Sequence, residues 1–191
     1  VPGKRHLAGF ALEAAVESLA RLEKYFGLPY PYDKLDLVAV PDFEAGAMEN
    51  AGAVFFRETL LLVDNATISL NEKKRVAEVI AHELAHMWFG NLVTMHWWDD
   101  LWLNEAFATW MGERVVTKLY PQWKLDVELL KWVHEAMDTD SLLSARKIRQ
   151  AIVSKDDIDN AFDDLTYSKG AGIISMFERY LGPETFRAGV R

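Results

Sequence analysis

The sequence predicts an α+β domain in which a small sheet is followed by a helical half. Three observations carry this. Apolar residues recur at helical spacing near the start, and residues 34–64 hold β-prone runs punctuated by glycine. From Asn71 onward the helical period returns and persists.

Taken in order, residues 6–27 read as a helix. Leu7, Phe10, Ala11, Ala14, Ala15, Leu19 and Leu22 line one face, and Gly27 with Pro29 ends the run. In the extended region Leu35, Leu37 and Ala39 fall at alternate positions. Val54-Phe55-Phe56 and Thr59–Val63 look like strands, with Gly46 and Gly52 marking turns. Asn71 is the expected cap of a helix reaching about Phe89, closed by Gly90-Asn91. Asp99 or Asp100 is expected to cap the next helix, which runs to about Leu119 before Pro121, with a metal-site supporting role as the second reading. Further helices are expected near 122–137, 159–164, 168–181 and 184–189, and the polar stretch 138–158 reads as loop. The aromatics Trp88, Phe89, Trp97, Trp98, Trp102, Phe107 and Trp110 are expected in the core, and His96 and His134 on the surface.

Composition narrows the function. Half of the 191 residues are apolar, enough for a sizeable core. Lys plus Arg number 21 against 29 Asp plus Glu, a net charge of -8, which argues against nucleic acid as a partner. With no cysteine, a disulfide framework, a thiolate zinc site and a cysteine nucleophile are excluded. No apolar run approaches the ~20 residues of a membrane span. The chain opens on Val1-Pro2-Gly3-Lys4, without an initiator Met or a signal-peptide pattern, so a piece of a longer polypeptide is expected. The compartment is left open, with the cytoplasm favoured.

The chemistry is concentrated at His82-Glu83-Leu84-Ala85-His86. Residues four apart on a helix are turned by about 400°, so both imidazoles leave one face within about 6 Å of each other. Two nitrogens can then reach one zinc ion, with Glu83 close enough to touch a metal-bound water without being a ligand. Alone, the pair is also compatible with two surface histidines. Eighteen residues beyond His86 comes Asn104-Glu105-Ala106 in the next predicted helix. An antiparallel neighbour can bring the Glu105 carboxylate over the imidazoles, and His2Glu with an open fourth position is a hydrolytic arrangement.

The runs HELAHMWFGNLVT at 82–94 and WDDLWLNEAFAT at 98–109 resemble the zinc metallopeptidases of the aminopeptidase N type. Gly46-Ala47-Met48-Glu49-Asn50 is similar to the family's GAMEN signature, and Tyr167-Ser168-Lys169-Gly170-Ala171 to a third. The resemblance implies one zinc ion held by His82, His86 and Glu105, with Glu83 as general base. It implies that Glu49 holds the substrate's free α-amino group, and that Tyr167 stabilises the tetrahedral intermediate. Ala47 and Met48 fall on residues lining the first side-chain pocket and the peptide-binding edge strand, with Gly46 and Asn50 completing that substrate-binding stretch. Met87 stands where the family usually has Gln, and Ala106 where Gly is commoner.

The implied fold is a thermolysin-like catalytic domain, a small mixed sheet followed by zinc-bearing helices. Residues 1–191 would form that one domain, the preceding β-rich and following helical domains of full-length members being absent. The implied function is zinc-dependent removal of the N-terminal residue from peptides with a free N-terminus. A bifunctional epoxide hydrolase/aminopeptidase and a non-catalytic zinc-containing peptide-binding module are the alternatives.

Overall fold

Residues 3–191 are described by a computed structural model. After a 3₁₀ turn at Arg5–Ala8, helix α1 (Gly9–Phe26) turns Phe10, Ala11, Ala14, Leu22 and Phe26 inward. It stops where expected. Gly27 takes the left-handed conformation, φ 68°, and its N–H returns to the Glu23 carbonyl at 2.8 Å.

The sheet has three strands, β1 (Asp36–Val40), β2 (Ala47–Met48) and β3 (Ala53–Arg57), in the order β1-β3-β2. β1 is parallel and β2 antiparallel to the central β3. Val54 and Phe56 are fully buried while Phe55 and Arg57 face outward, the period of two of a half-buried strand. The expected strand at Thr59–Val63 does not form. β3 is already paired on both sides, and Glu58–Leu60 closes a 3₁₀ turn, with the Leu62 N–H on the Glu58 carbonyl at 2.8 Å.

Helix α2 (Leu70–His86) is capped by Ser69, not Asn71. The Ser69 hydroxyl accepts from the Glu72 N–H, and the Glu72 carboxylate accepts from the Ser69 N–H at 2.9 Å, a reciprocal capping box. The α-helix ends at His86, and Met87–Phe89 continue as a tighter turn. Helix α3 (Leu101–Leu119) follows a 3₁₀ turn at Trp98–Asp100. Neither aspartate caps it. Asp99 accepts the Ile152 N–H at 2.9 Å and Asp100 the Arg149 Nε–H at 2.8 Å, so both hold down the 149–152 segment.

A 3₁₀ turn at Pro121–Trp123 delays α4 (Leu125–Asp140) relative to expectation. The helix expected near 159–164 is found as α5 (Lys155–Ala161), which begins four residues earlier, inside the expected loop, at a second capping box between Ser154 and Asp157. A π-helical turn at Leu165–Lys169 leads into α6 (Gly170–Leu181), and α7 (Pro183–Val190) completes the helical half.

The core lies where α1, α2 and α3 meet. Leu22, Ile80, Leu84, Met111 and Val116 have no exposed surface, each burial contributing about 1.5–3 kcal/mol. Phe89 stacks on Phe107 at 3.8 Å and Phe26 on Trp88 at 5.2 Å. The core expectation holds for Trp88, Phe107 and Trp110. It does not hold for Trp97, which is 56% exposed and donates its indole N–H to the Ile152 carbonyl. His96 and His134 are exposed. No helix among the described residues is long and apolar enough to cross a membrane.

Candidate metal centre

The C-terminal end of α2 lies against α3. Glu105 meets His82 and His86, while Gly112, two turns further along α3, sits on the backbone of Ala81 and His82, so the helices run antiparallel. A Cβ at Gly112 would stand 2.9 Å from the His82 nitrogen. Glycine there lets the two helix backbones approach.

At this spacing three donor atoms converge. The Nε2 atoms of His82 and His86 are 3.0 Å apart, and Glu105 Oε2 lies 3.2 Å from the first and 3.5 Å from the second. Zinc bound tetrahedrally at 2.0–2.1 Å requires ligand–ligand edges of about 3.3–3.4 Å. The triangle and its donor chemistry therefore fit a divalent metal. The rings are also oriented from behind. His86 Nδ1 is 3.1 Å from the Phe89 carbonyl, which is free to turn back because the α-helix has ended, and His82 Nδ1 is 3.4 Å from Thr109 Oγ1. Such contacts fix the tautomer that leaves Nε2 for the metal.

Around this triangle stand the other sequence-nominated side chains. Glu83 is 5% exposed, and its Oε2 is buried without a hydrogen-bond partner. Glu49, in the turn after β2, is 3.9 Å from His86 Nδ1. Its backbone carbonyl accepts from the Asn91 amide at 2.8 Å. The Asn104 amide donates to the Glu49 carboxylate at 3.3 Å and to Glu105 Oε1 at 3.2 Å, tying two carboxylates together. Tyr167 lies across the cluster, its ring 6.1 Å from that of His82. Gly46, Ala47, Met48 and Asn50 run along the edge of the sheet. The Gly46 carbonyl accepts from the Arg57 N–H, Ala47 and Met48 form β2, and the Asn50 carbonyl accepts from the Ala53 N–H. Of that stretch, Glu49 is the residue whose side chain enters the cluster.

The sequence matches the family described as "Peptidase family M1 domain" over residues 10–191. The chain belongs to peptidase family M1. It is 47% identical over its whole length to a protein named "Leucyl aminopeptidase" from Saccharolobus solfataricus, and 46% identical, over 97% of its length, to "Aminopeptidase M1-A" of Oryza sativa subsp. japonica and to "Aminopeptidase M1" of Arabidopsis thaliana. It spans 24% of the first and 21% of the other two, about a quarter of the length of these curated relatives or slightly less.

The electrostatics of this M1 centre follow from burying three carboxylates beside two imidazoles. Burial pushes the Glu83 carboxyl up to about 8, the His86 charge opposing and those of Glu49 and Glu105 assisting. Burial also opposes ionisation of Glu105, but the charge of His86 and hydrogen bonds from both imidazoles outweigh it and hold its pKa below the ordinary carboxylate range. His82 is lowered, chiefly by burial. For His86 the carboxylates overcome burial and raise it to about 10. The Tyr167 phenol is raised by burial first and then by the charge of Glu105, so it stays protonated at neutral pH.

Met87 is fully buried, and its sulfur lies 3.6 Å from the Asn91 amide that supports Glu49, so it packs behind the turn that carries Glu49. Sequence reasoning missed Asn91, Asn104, Thr109 and Gly112. A mid-helix glycine two turns after Glu105 is the one signal that could have singled out a close helix crossing.

Proposed function

We propose that this M1 chain is the thermolysin-like catalytic domain, residues 1–191, of a zinc aminopeptidase that removes the N-terminal residue from peptides. It would work with flanking domains of a longer polypeptide. The observation that carries the reading is the convergence of His82, His86 and Glu105 beside a buried carboxylate, Glu83, that has an oxygen to spare.

His82, His86 and Glu105 would hold the zinc. When bound, the ion lowers the pKa of a coordinated water toward 7 and polarises the scissile carbonyl. Glu83, buried beside the imidazoles with one carboxylate oxygen unpartnered, accepts the water proton and passes it to the leaving nitrogen. The Tyr167 hydroxyl, kept protonated, donates to the developing oxyanion. Glu49 pairs with the substrate ammonium. Because it is tied through Asn104 to Glu105, the amino terminus is held close to the metal, and the first peptide bond is the one within reach. Gly46, Ala47, Met48 and Asn50 bound the peptide along the edge of the sheet. The names of the relatives support the same reading.

The test pairs a zinc assay with a panel of amino-acyl chromogenic substrates, on the wild type and on Glu83→Gln. Zinc stays at one equivalent in both, while kcat of the variant falls by about 10²–10⁴. Equal turnover in both removes Glu83 as base. One equivalent of zinc with no turnover by the wild type in its whole polypeptide removes the enzymatic reading.

A further inference from the structure

The proposed function leaves open how Tyr167 is aimed. It sits in a π-helical turn, Leu165–Lys169, where a wide backbone ring replaces the tighter α-helical one. Its own N–H goes to the Asp163 carbonyl at 3.1 Å, and the Lys169 N–H reaches back five residues to Asp164. Such turns are rare, and this one is held by side chains. The Asp163 carboxylate accepts from the N–H groups of Leu165 and Thr166 at 3.0 and 3.1 Å. The fully buried Thr166 donates its hydroxyl to the Ala161 carbonyl at 2.6 Å.

Both side chains are gripped from the segment between α4 and α5 by Arg146, whose side chain is 18% exposed. Its Nε donates to Asp163 Oδ2 at 2.9 Å, and its Nη2 to Asp163 Oδ1, to Thr166 Oγ1 at 2.7 Å and to the Ala161 carbonyl at 3.2 Å. Its Nη1 is used locally, on the carbonyls of Lys147 and Ile148. Only a planar fork with several fixed donors satisfies this arrangement. A lysine ammonium is one nitrogen: it can stand in for the contacts of Nη2, but not at the same time for the bond from Nε to Asp163 Oδ2 or those of Nη1.

We propose that Arg146 is a positioning residue for Tyr167. Through Asp163 and Thr166, its guanidinium fixes the turn that presents the phenol to the metal centre, without itself touching that centre. The inference rests on the aminopeptidase reading for its kinetic consequence, and on the hydrogen-bond geometry alone for its structural one.

The experiment uses the whole zinc-loaded protein labelled with 3-fluorotyrosine, in which the Tyr167 line is assigned by its loss in Tyr167→Phe. In Arg146→Ala the ¹⁹F line of Tyr167 shifts or broadens, while those of Tyr30 and Tyr32 stay in place. On amino-acyl substrates kcat falls about 10- to 100-fold, with KM and zinc stoichiometry unchanged. Arg146→Lys does not rescue it. In the Tyr167→Phe background Arg146→Ala costs less than a further twofold, because the group it positions is gone. An unmoved Tyr167 line, or a kinetic loss retained in full in that background, overturns the proposal. Should Arg146→Ala fail to fold, Thr166→Val removes one link of the clamp and is expected to displace the same line. A wild type that does not turn over, or a Tyr167→Phe that costs nothing, overturns the aminopeptidase reading instead, and the ¹⁹F result then decides the role of Arg146.

Discussion

The candidate centre is built from two kinds of structure. His82, Glu83, His86 and Glu105 stand on two regular helices whose faces are pressed together in the core, with Gly112 setting how close they come. Glu49 and Tyr167 stand on a turn beside an edge strand and on a π-helical turn, held by Asn91, Asn104, Asp163 and Arg146. In the first region side-chain direction follows from helical geometry and burial, so the proposed metal site would be coupled to the packing of the two helices. In the second it follows from a few hydrogen bonds, so the substrate handling proposed for Glu49 and Tyr167 could change while the core stays intact.

Three substitutions sharpen that contrast. The largest effect is expected in the turn-built region. Glu49→Ala removes the proposed partner of the substrate ammonium, a charge-assisted contact worth about 1.5–3 kcal/mol. KM for free-amine substrates rises about 10- to 100-fold, while zinc content and the melting temperature hold. A parallel fall in melting temperature would erase the distinction between the regions.

Next comes Gly112→Ala, in the helix-built region. Alanine favours the helix by about 1 kcal/mol. The new methyl, however, meets the α2 backbone at 2.9 Å, where no side chain can swing aside. Overpacking of this kind costs about 1–3 kcal/mol and should win, lowering the melting temperature by several degrees. Because the same helix spacing sets the donor triangle, zinc affinity falls with it. Calorimetry and a chelator competition measured on one sample check whether the two losses travel together.

The smallest effect lies on α2 away from the centre. Burial pushes the Glu78 carboxyl from its ordinary 4.5 up to about 7, with Oε1 lacking a partner. A raised carboxyl binds more protons folded than unfolded between those values. Stability is therefore lost as pH rises from about 4.5 through 7. Partial solvent contact reduces the contribution to about 1–2 kcal/mol. Glu78→Gln should flatten the melting temperature across that window and raise it at pH 8, leaving KM alone. A slope unchanged in the variant would place the titration elsewhere.

The same division explains what the sequence made legible. The His82–His86 spacing and the distant Glu105 are readable because helical period alone puts them on facing surfaces. The buried face of α1 and the alternation at Val54 and Phe56 are readable for the same reason. Thr59–Val63 misleads because its composition favours a strand, whereas the 3₁₀ turn at Glu58–Leu60 bends the chain directly after β3. The start of α2 moves from Asn71 to Ser69, where Ser69 and Glu72 carry the capping-box signature three residues apart, and Ser154 with Asp157 repeats it before α5. Arg146 has no such signature. An arginine in a polar stretch gives no period, and the importance of this one depends on the Asp163 carboxylate and Thr166 hydroxyl, brought near it only by folding.

The brevity of β2 has a consequence of its own. A strand of two residues at the margin of the sheet has too few free backbone groups to recruit copies of itself into a growing fibril. Were a peptide to join the sheet there, as proposed, its backbone would find only a brief handhold, and most of its grip would have to come from elsewhere.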